Sequence, residues 1–272
     1  MLERMKRSAR EKLMSAVREA HDPQVEQLRA ALEDSRRRVD ELGEQVAELH
    51  REVVASEIRQ RRDLMAAGER AAVASSAAYV GEHFLHAHPL PFPHDTLRHV
   101  LGLAPTGGLA IELGVASGTT LQIIADAREE TVYGFDVFTG LPETWRPGFP
   151  EGMFAQDDLP QVDGAELVVG LFEDTLPGFL AEHEGPVDFL HVDCDLYSAT
   201  VTSLEAVGPR LRPGSIVLFD EYFNHQNWES GEAKAWAEHV ARHGLTYTYV
   251  AYTIDNEQVA VRIDSVGDVP QD

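Results

Sequence analysis

The chain has 272 residues, 43% of them hydrophobic, which is enough for one large domain with an appendage. Its formal net charge is −23, and all of the excess negative charge belongs to residues 76–272. Residues 1–75 hold 15 basic and 15 acidic residues, whereas the remainder holds 8 basic and 31 acidic residues. Such acidity favours solubility or attraction of a cationic ligand, and argues against a nucleic-acid partner. The single cysteine excludes an intrachain disulfide. With no signal-peptide pattern and no apolar run that could span a membrane, we expect a cytoplasmic protein without a membrane partner.

The N-terminal part, residues 1–75, is predicted to be helical and to mediate oligomerisation. Asp22 followed by Pro23 is typical of a helix start. A heptad seam follows, formed by Val25, Leu28, Leu32, Val39, Leu42, Val46, Leu49 and Val53 with Ser35 as a polar interruption. Branched residues at a positions and leucine at d positions favour a parallel two-stranded coiled coil. We expect the partner to be a second copy of the chain. The alternative is the domain that follows.

Residues 1–21 show a separate amphipathic pattern with mixed charges. A helix of this kind packs on protein or touches a membrane surface, and the mixture of basic and acidic residues favours the first.

The second part, residues 76–272, alternates strand and helix patterns after about residue 105, as an α/β, doubly wound domain does. The candidate strands are short, continuous apolar runs, as expected of strands covered on both faces. They span 108–115, 131–138, 165–170, 187–194 and 215–222. The last two apolar runs, LTYTYVAYT and QVAVRI, are separated by too few residues for a helix. They predict a terminal hairpin whose last strand runs antiparallel to its neighbours.

The first predicted strand leads into a glycine-containing turn, IELGVASGTT. In a doubly wound sheet, ligands bind beyond the carboxyl ends of the strands, and glycines let the backbone approach them. Asp136 ends the second strand, 22 residues after Gly114, where an acid suits a ribose diol. The spacing of Gly114 and Gly118 is G-x-x-x-G, which weighs against a nicotinamide dehydrogenase. The alternative to ligand binding is that these glycines only allow a tight, closely packed turn.

Four carboxylates lie at the carboxyl ends of two other predicted strands. Asp193 and Asp195 come after the run VDFLHV, and Asp220 and Glu221 come after SIVLF. Because Asp193 and Asp195 are two residues apart, we expect them to point to the same side of an extended chain. Because neighbouring parallel strands end at the same edge, we expect these acids to crowd together. Their repulsion would be relieved by a hard divalent cation such as Mg²⁺ or Ca²⁺. The alternative is that they are strand caps and surface acids.

Together these features resemble a class I S-adenosylmethionine-dependent methyltransferase: Glu112-x-Gly114-x-x-x-Gly118, Asp136 on the second strand, and the terminal hairpin. More narrowly, four segments resemble the macrocin O-methyltransferase family, whose members methylate sugar hydroxyls in natural-product biosynthesis. These segments are YGFDVFTGLPETW, GLFEDTLPGFL, HVDCDLYSAT and LFDEYFNHQNWESGEAKAWAEH. The resemblance covers roughly residues 80–265 and implies a Rossmann-like sheet.

The resemblance implies roles for individual residues. The cofactor-binding residues are Glu112, Gly114, Ser117, Gly118, Asp136 and Phe172. Among them, the glycine turn would hold the methionine moiety and Asp136 the ribose hydroxyls. Phe172 would border the adenine or belong to the core.

The metal ligands implied are Asp193, Asp220 and Glu221, with Mg²⁺ the expected ion and Asp195 the general base. Glu221 departs from the more usual pair of aspartates. The expected function is metal-dependent O-methylation of a sugar or vicinal diol on a small-molecule natural product. The alternatives are a phenol, carboxylate or amine acceptor, or a non-catalytic coiled-coil scaffold.

Other side chains near the acids have weaker indications. His191 is interpreted as a core histidine, whereas His225 and Trp228 contact substrate or lie in an exposed loop. The segment 139–160 is too long for a simple connection and is predicted to be a lid over the substrate. Its apolar contacts would be Trp145, Phe149 and Phe154.

Overall fold

Helix α1 runs without interruption from Leu2 to Arg62, with Pro23 inside it. The computed structural model describes residues 1–267, apart from the side chain of Ala20. The predicted helix start at Asp22, and the separation of residues 1–21 from the heptad seam, are therefore wrong. An interior proline costs about 3 kcal/mol, which the many strong helix formers around it outweigh over so long a helix.

The apolar seam of α1 is exposed along its length. The eight seam side chains from Val25 to Val53 are each 42–70% exposed. A helix with so narrow an apolar stripe gains little stability without a partner that covers the stripe. The coiled coil and the identity of its partner stay a prediction.

The chain divides into two units, Met1–Ala67 and Gly68 onward. This division lies within helix α2, Leu64–His83, as does the predicted boundary at residue 75. No helix in residues 1–267 is both long and apolar enough to cross a membrane.

An eight-stranded sheet forms the centre of the second unit, in the order β1-β7-β8-β6-β5-β2-β3-β4. Its strands are β1 His88–Leu90, β2 Leu109–Leu113, β3 Val132–Asp136, β4 Ala165–Val169, β5 Val187–Val192, β6 Leu211–Phe219, β7 Thr246–Thr253 and β8 Val259–Ser265. Its helices are α3 Pro93–Leu101, α4 Thr119–Ala127, α5 Phe172–Glu182, α6 Tyr197–Val207 and α7 Glu232–His243. The predicted α/β class is confirmed.

Strand direction changes at one end of this sheet. β8 pairs antiparallel with both β6 and β7, whereas the other neighbours are parallel. The three-residue strand β1 was not predicted, because it is too short to show an alternating pattern.

The sheet has a buried apolar layer on each face. On one face Leu97 of α3 and Ile124 of α4 pack with Ala110 of β2. On the other, Leu176 of α5 and Trp236 of α7 pack with Ile111, the next residue of β2. Successive strand residues thus enter opposite layers, which explains the continuous apolar runs in the sequence.

Helix α7 contains a histidine that is buried without a hydrogen-bond partner on either ring nitrogen in the part of the chain described. His239 stacks on Trp236 and lies against Gly208, where an added Cβ would overlap the ring. Burial, and then the positive charge of His243 and Arg242, lower the pKa of His239 to about 4.

We expect His239 to make the protein less stable in mild acid. Below its usual pKa of about 6.5, the unfolded chain binds a proton that the folded protein takes up only near pH 4. The free energy of unfolding should therefore fall as pH drops from 6.5 to 4, by about 2 kcal/mol after solvent screening. Urea unfolding across this range should give a flatter profile for His239→Gln than for the native protein. Identical profiles would contradict this role.

Candidate functional site

A cavity of about 370 Å³ opens at the carboxyl ends of β2, β3, β5 and β6. This volume lies within the usual range for small-molecule sites. Its walls include the turn after β2, the end of β3, the start of α5 and the loops after β5 and β6. Residues that contact it include Gly114, Asp136, Leu141, Phe154, Phe172, Asp193, Asp195, Leu196 and Glu221.

The turn after β2 needs glycine where it crosses the next loop. Gly114 has φ +94°, and a Cβ there would overlap the carbonyl oxygen of Asp193. The amide of Asp193 in turn donates to the Leu113 carbonyl at 2.9 Å. The two loops can approach this closely only because Gly114 has no side chain.

We expect Gly114→Ala to disrupt the site through this steric overlap. It should destabilise the protein by roughly 3 kcal/mol or more, because the overlapping atom belongs to the backbone and cannot move aside cheaply. Gly107→Ala is the matched control, since Gly107 has a similar φ of +92° but open space around a Cβ. It should cost only about 1 kcal/mol of backbone strain. Thermal unfolding of both variants checks this prediction. Equal losses of stability would show that backbone strain, and not the steric overlap, causes the destabilisation.

Asp136 fixes the same turn. One of its carboxylate oxygens accepts hydrogen bonds from the amides of Val115 and Ala116 at 2.8 and 2.9 Å, and the other accepts from the Phe138 amide at 2.7 Å. These bonds hold the end of β3, the turn after β2 and the beginning of the 139–160 segment in a fixed arrangement. These bonds use both lone-pair sites of Oδ2 and one of Oδ1, so Oδ1 keeps one acceptor site.

Three of the predicted acids converge. Oxygens of Asp193, Asp220 and Glu221 lie within 4.8 Å of one another. Burial, and then the charge of Asp220, raise the pKa of Asp193 and of Glu221 well above the usual range. The buried Oε2 of Glu221 has no hydrogen-bond partner within the described residues. Oxygen donors crowded in this way, one of them unpartnered, fit a hard divalent cation.

A buried histidine supports this acid cluster from the sheet. His191 Nδ1 lies 2.8 Å from Glu112 Oε1, and its Nε2 lies 3.6 Å from Asp220 Oδ1. Burial alone would lower the pKa of His191, but the neighbouring carboxylates of Asp220 and Glu112 raise it well above 6.5. His191 is therefore a core histidine, as predicted, that also positions Asp220.

Glu112 lies behind the acid cluster. It is fully buried, and it does not contact the cavity. Its role in this structure is its hydrogen bond to His191.

Two further residues hold the cluster and were missed in the sequence. Gln258 Nε2 donates to Asp220 Oδ1 at 3.0 Å, and Glu232 Oε2 accepts from the Glu221 amide at 3.0 Å. Glu232 lies within a segment that resembles the macrocin family, but nothing distinguished it from other acids of that segment. Gln258 follows the turn between β7 and β8, and no sequence pattern indicates it.

Asp195 reaches the cavity by a different route from the one predicted. Strand β5 ends at Val192, and Asp195 has φ +62°, so a left-handed turn positions it and strand alternation does not. It contacts the cavity beside Asp193. Burial, and then the charge of Asp220, raise the pKa of Asp195 to about 7.

The 139–160 segment is folded back on itself, with paired main chains between Leu141 and residues 152–153. Of its predicted aromatic contacts, Phe154 borders the cavity. Trp145 and Phe149 instead pack around the Arg146 guanidinium, whose carbon is 3.8 and 4.8 Å from the two ring centres. Movement of the 139–160 segment as a lid stays a prediction.

Arg146 also joins this segment to the turn between β7 and β8. It pairs with Glu257 at 3.3 Å. Cation–π packing with aromatic rings and this ion pair explain why an arginine occupies an acidic neighbourhood.

Trp228 does not contact the cavity. It is buried, and its Nε1 donates to Ser75 Oγ of α2 at 2.9 Å. His225 is also buried, with its ring nitrogens 3.0 and 3.2 Å from the carbonyls of Gln226 and Glu221. The interpretations of these two residues as substrate contacts or exposed loop residues are wrong, because each already has buried polar partners.

Apart from Glu112, the predicted cofactor residues fall into two groups. Gly114, Asp136 and Phe172 contact the cavity. Ser117 and Gly118 lie one step further along, at the start of α4, where Ser117 Oγ is 2.9 Å from Thr119 Oγ1.

Residues 111–222 match the model of a family described as "Methyltransferase domain". A curated relative, 8-demethyl-8-(2,3-dimethoxy-alpha-L-rhamnosyl)-tetracenomycin-C 4'-O-methyltransferase of Streptomyces olivaceus, is 40% identical over 60 residues. This match spans 22% of each protein, so the chain covers about a fifth of that relative.

Two solved structures are also similar. The calicheamicin methyltransferase CalS11 is 27% identical, with a TM-score of 0.47 over 62% of this chain and 76% of that one. The O-methyltransferase NovP is 22% identical, with a TM-score of 0.48 over 63% of this chain and 79% of that one.

Proposed function

Because residues 111–222 form a methyltransferase domain, we propose that the protein transfers a methyl group from S-adenosylmethionine to a hydroxyl of a small-molecule natural product. The acceptor hydroxyl belongs to a sugar or another vicinal diol, and the transfer depends on a divalent cation. The convergence of Asp193, Asp220 and Glu221, of which Asp193 and Glu221 line the cavity, is the observation that carries this proposal.

The cavity has features that suit the cofactor. Residues 114–116, Asp136 and Phe172 contribute to its wall. We assign the methionine moiety to the turn from Gly114 to Gly118, including Ser117, the ribose to Asp136 and the adenine to Phe172. Glu112 contributes indirectly through His191. When bound, S-adenosylmethionine supplies a methyl group already activated on a sulfonium centre.

Asp193, Asp220 and Glu221 are the proposed metal ligands, and Mg²⁺ is the ion that their hard oxygen donors suit best. A bound divalent cation supplies positive charge that favours ionisation of a nearby hydroxyl. His191 and Gln258 hold Asp220 in place, and Glu232 holds the backbone of Glu221.

Asp195 is the proposed general base. Its carboxylate borders the cavity beside Asp193, where it can accept the proton that an acceptor hydroxyl releases. Phe154 and Leu141 close the cavity on the side of the 139–160 segment, which restricts access of water to the reacting groups.

The sugar acceptor is supported by the rhamnosyl substrate in the name of the Streptomyces olivaceus relative. The oxygen-rich cation site also suits chelation of two vicinal hydroxyls, whereas an isolated phenol, carboxylate or amine would not need it.

Calorimetry with S-adenosylmethionine, followed by transfer of its labelled methyl group to a panel of glycosides, tests the proposal. We expect binding by the native protein, at least tenfold weaker binding by Asp136→Ala, and methylation of a glycoside hydroxyl. The control is Asp264→Ala, which removes an exposed acid of β8. Absence of cofactor binding would favour the non-catalytic scaffold. Transfer only to phenols, carboxylates or amines would overturn the sugar acceptor.

A further inference from the structure

We infer that the exposed seam of α1 pairs with the seam of a second copy of the chain in antiparallel orientation. Eight large apolar side chains, from Val25 to Val53, occupy this seam at 42–70% exposure. Removing large apolar side chains from water is the dominant favourable contribution to association, so a second seam that covers them would stabilise the helix. The inference is independent of the catalytic proposal.

The charges beside the seam differ between its two halves. In the heptad that the seam defines, the e and g positions border the apolar residues. Within 24–38 they hold Arg29, Arg36 and Arg38 and no acid, whereas within 43–57 they hold Glu52 and Glu57 and no lysine or arginine. The helix therefore presents a basic first half and an acidic second half along one face.

Parallel pairing would place like charges together. A g residue then lies beside the e residue five positions later on the other helix, so Glu52 of each copy would face Glu57 of the other. By the same rule Arg29, Arg36 and Arg38 would face uncharged residues, so the repulsion comes from the glutamates. The branched a positions and leucine d positions favour parallel pairing, but they do not remove this repulsion.

Antiparallel pairing places the basic half of each helix beside the acidic half of the other. With the seams aligned, Arg29 of each copy lies at the end that holds Glu52 and Glu57 of the other, whereas Arg36 and Arg38 lie near the middle of the seam. Both ends of the pair therefore gain attraction. Because the charges of e and g positions set the orientation of coiled coils, this complementarity identifies the occupant of the seam as a second, reversed copy.

One substitution gives opposite results for the two orientations. Glu57→Arg should weaken an antiparallel dimer roughly fivefold, since it adds positive charge beside the arginines. It should tighten a parallel dimer, since it converts a Glu–Glu contact into Glu–Arg. Glu57 also pairs with Arg61 in its own helix. Glu26→Arg, at an outward position and paired within the helix to Arg29, is a control for lost intrahelical pairing.

The dimer dissociation constant of the full-length protein, measured by analytical ultracentrifugation, is the readout. Adding Arg29→Glu and Arg36→Glu to Glu57→Arg should restore the affinity. A monomeric native protein, or tighter association of Glu57→Arg, would overturn the inference.

A distance measurement decides the orientation directly. A spin label at Ala30, on the outer face of α1, in a Cys194→Ser background should lie about 30–40 Å along the helix axis from the same label in the other copy. A parallel pair would show no axial separation and a label distance governed by helix width alone. A short distance in a dimer would therefore also overturn the inference.

Discussion

Removal of divalent cations with EDTA should abolish methyl transfer, and added Mg²⁺ should restore it. Without a cation, three carboxylates within 4.8 Å of one another repel, and nothing offsets the cost of ionising the acceptor hydroxyl. Steady-state assays with labelled S-adenosylmethionine before and after chelation measure the effect, which we expect to exceed a hundredfold. Full activity in excess chelator would eliminate the metal role.

Direct binding separates a catalytic cation from one that only stabilises the fold. Calorimetry or Mn²⁺ electron paramagnetic resonance should detect one site in the native protein. Asp193→Asn and Glu221→Gln should each weaken it at least tenfold. Glu143→Gln is a suitable control, because Glu143 is held by Ser198 Oγ at 2.7 Å and is not part of the acid cluster. Unchanged affinity in the two cluster variants would place the ion elsewhere.

Asp195→Asn should lower the rate of methyl transfer by about 10²–10⁴-fold and leave cofactor affinity nearly unchanged. Asparagine keeps the size of the side chain but cannot accept the proton from the acceptor hydroxyl. Single-turnover rates and calorimetry with S-adenosylmethionine measure the two quantities separately.

The matched control for Asp195 is Glu173→Gln, which also converts a cavity-wall carboxylate into an amide. Its rate should stay within a few-fold of the native value. If both variants lose the same activity, or if Asp195→Asn turns over at the native rate, Asp195 is not the base.

The central strands of the sheet could be predicted because they are buried on both faces. All six residues of β5 are buried, for example, and read as the continuous run VDFLHV. The acid cluster could be predicted because Asp193 and Asp220 come after adjacent strands, and this prediction needed no interatomic distances. The short strand β1 gave no such pattern.

Contacts distant in sequence could not be predicted. Gln258 and Glu232 meet the acid cluster only because the terminal hairpin and α7 pack beside β6. Asp195 was expected from strand alternation, but a residue with positive φ brings it to the cavity. The continuity of α1 through Pro23 depends on the sum of many small propensities, which a local capping signal does not reveal.

The three backbone amides held by Asp136 have a consequence for regulation of the catalytic cycle. Val115 and Ala116 belong to the turn assigned to the donor, whereas Phe138 leads into the 139–160 segment, which is predicted to cover the acceptor. A ribose that engages Asp136 would redistribute its hydrogen bonds, and both loops would respond together. Donor and acceptor affinities should then be thermodynamically linked, so that loading of one substrate alters the affinity for the other.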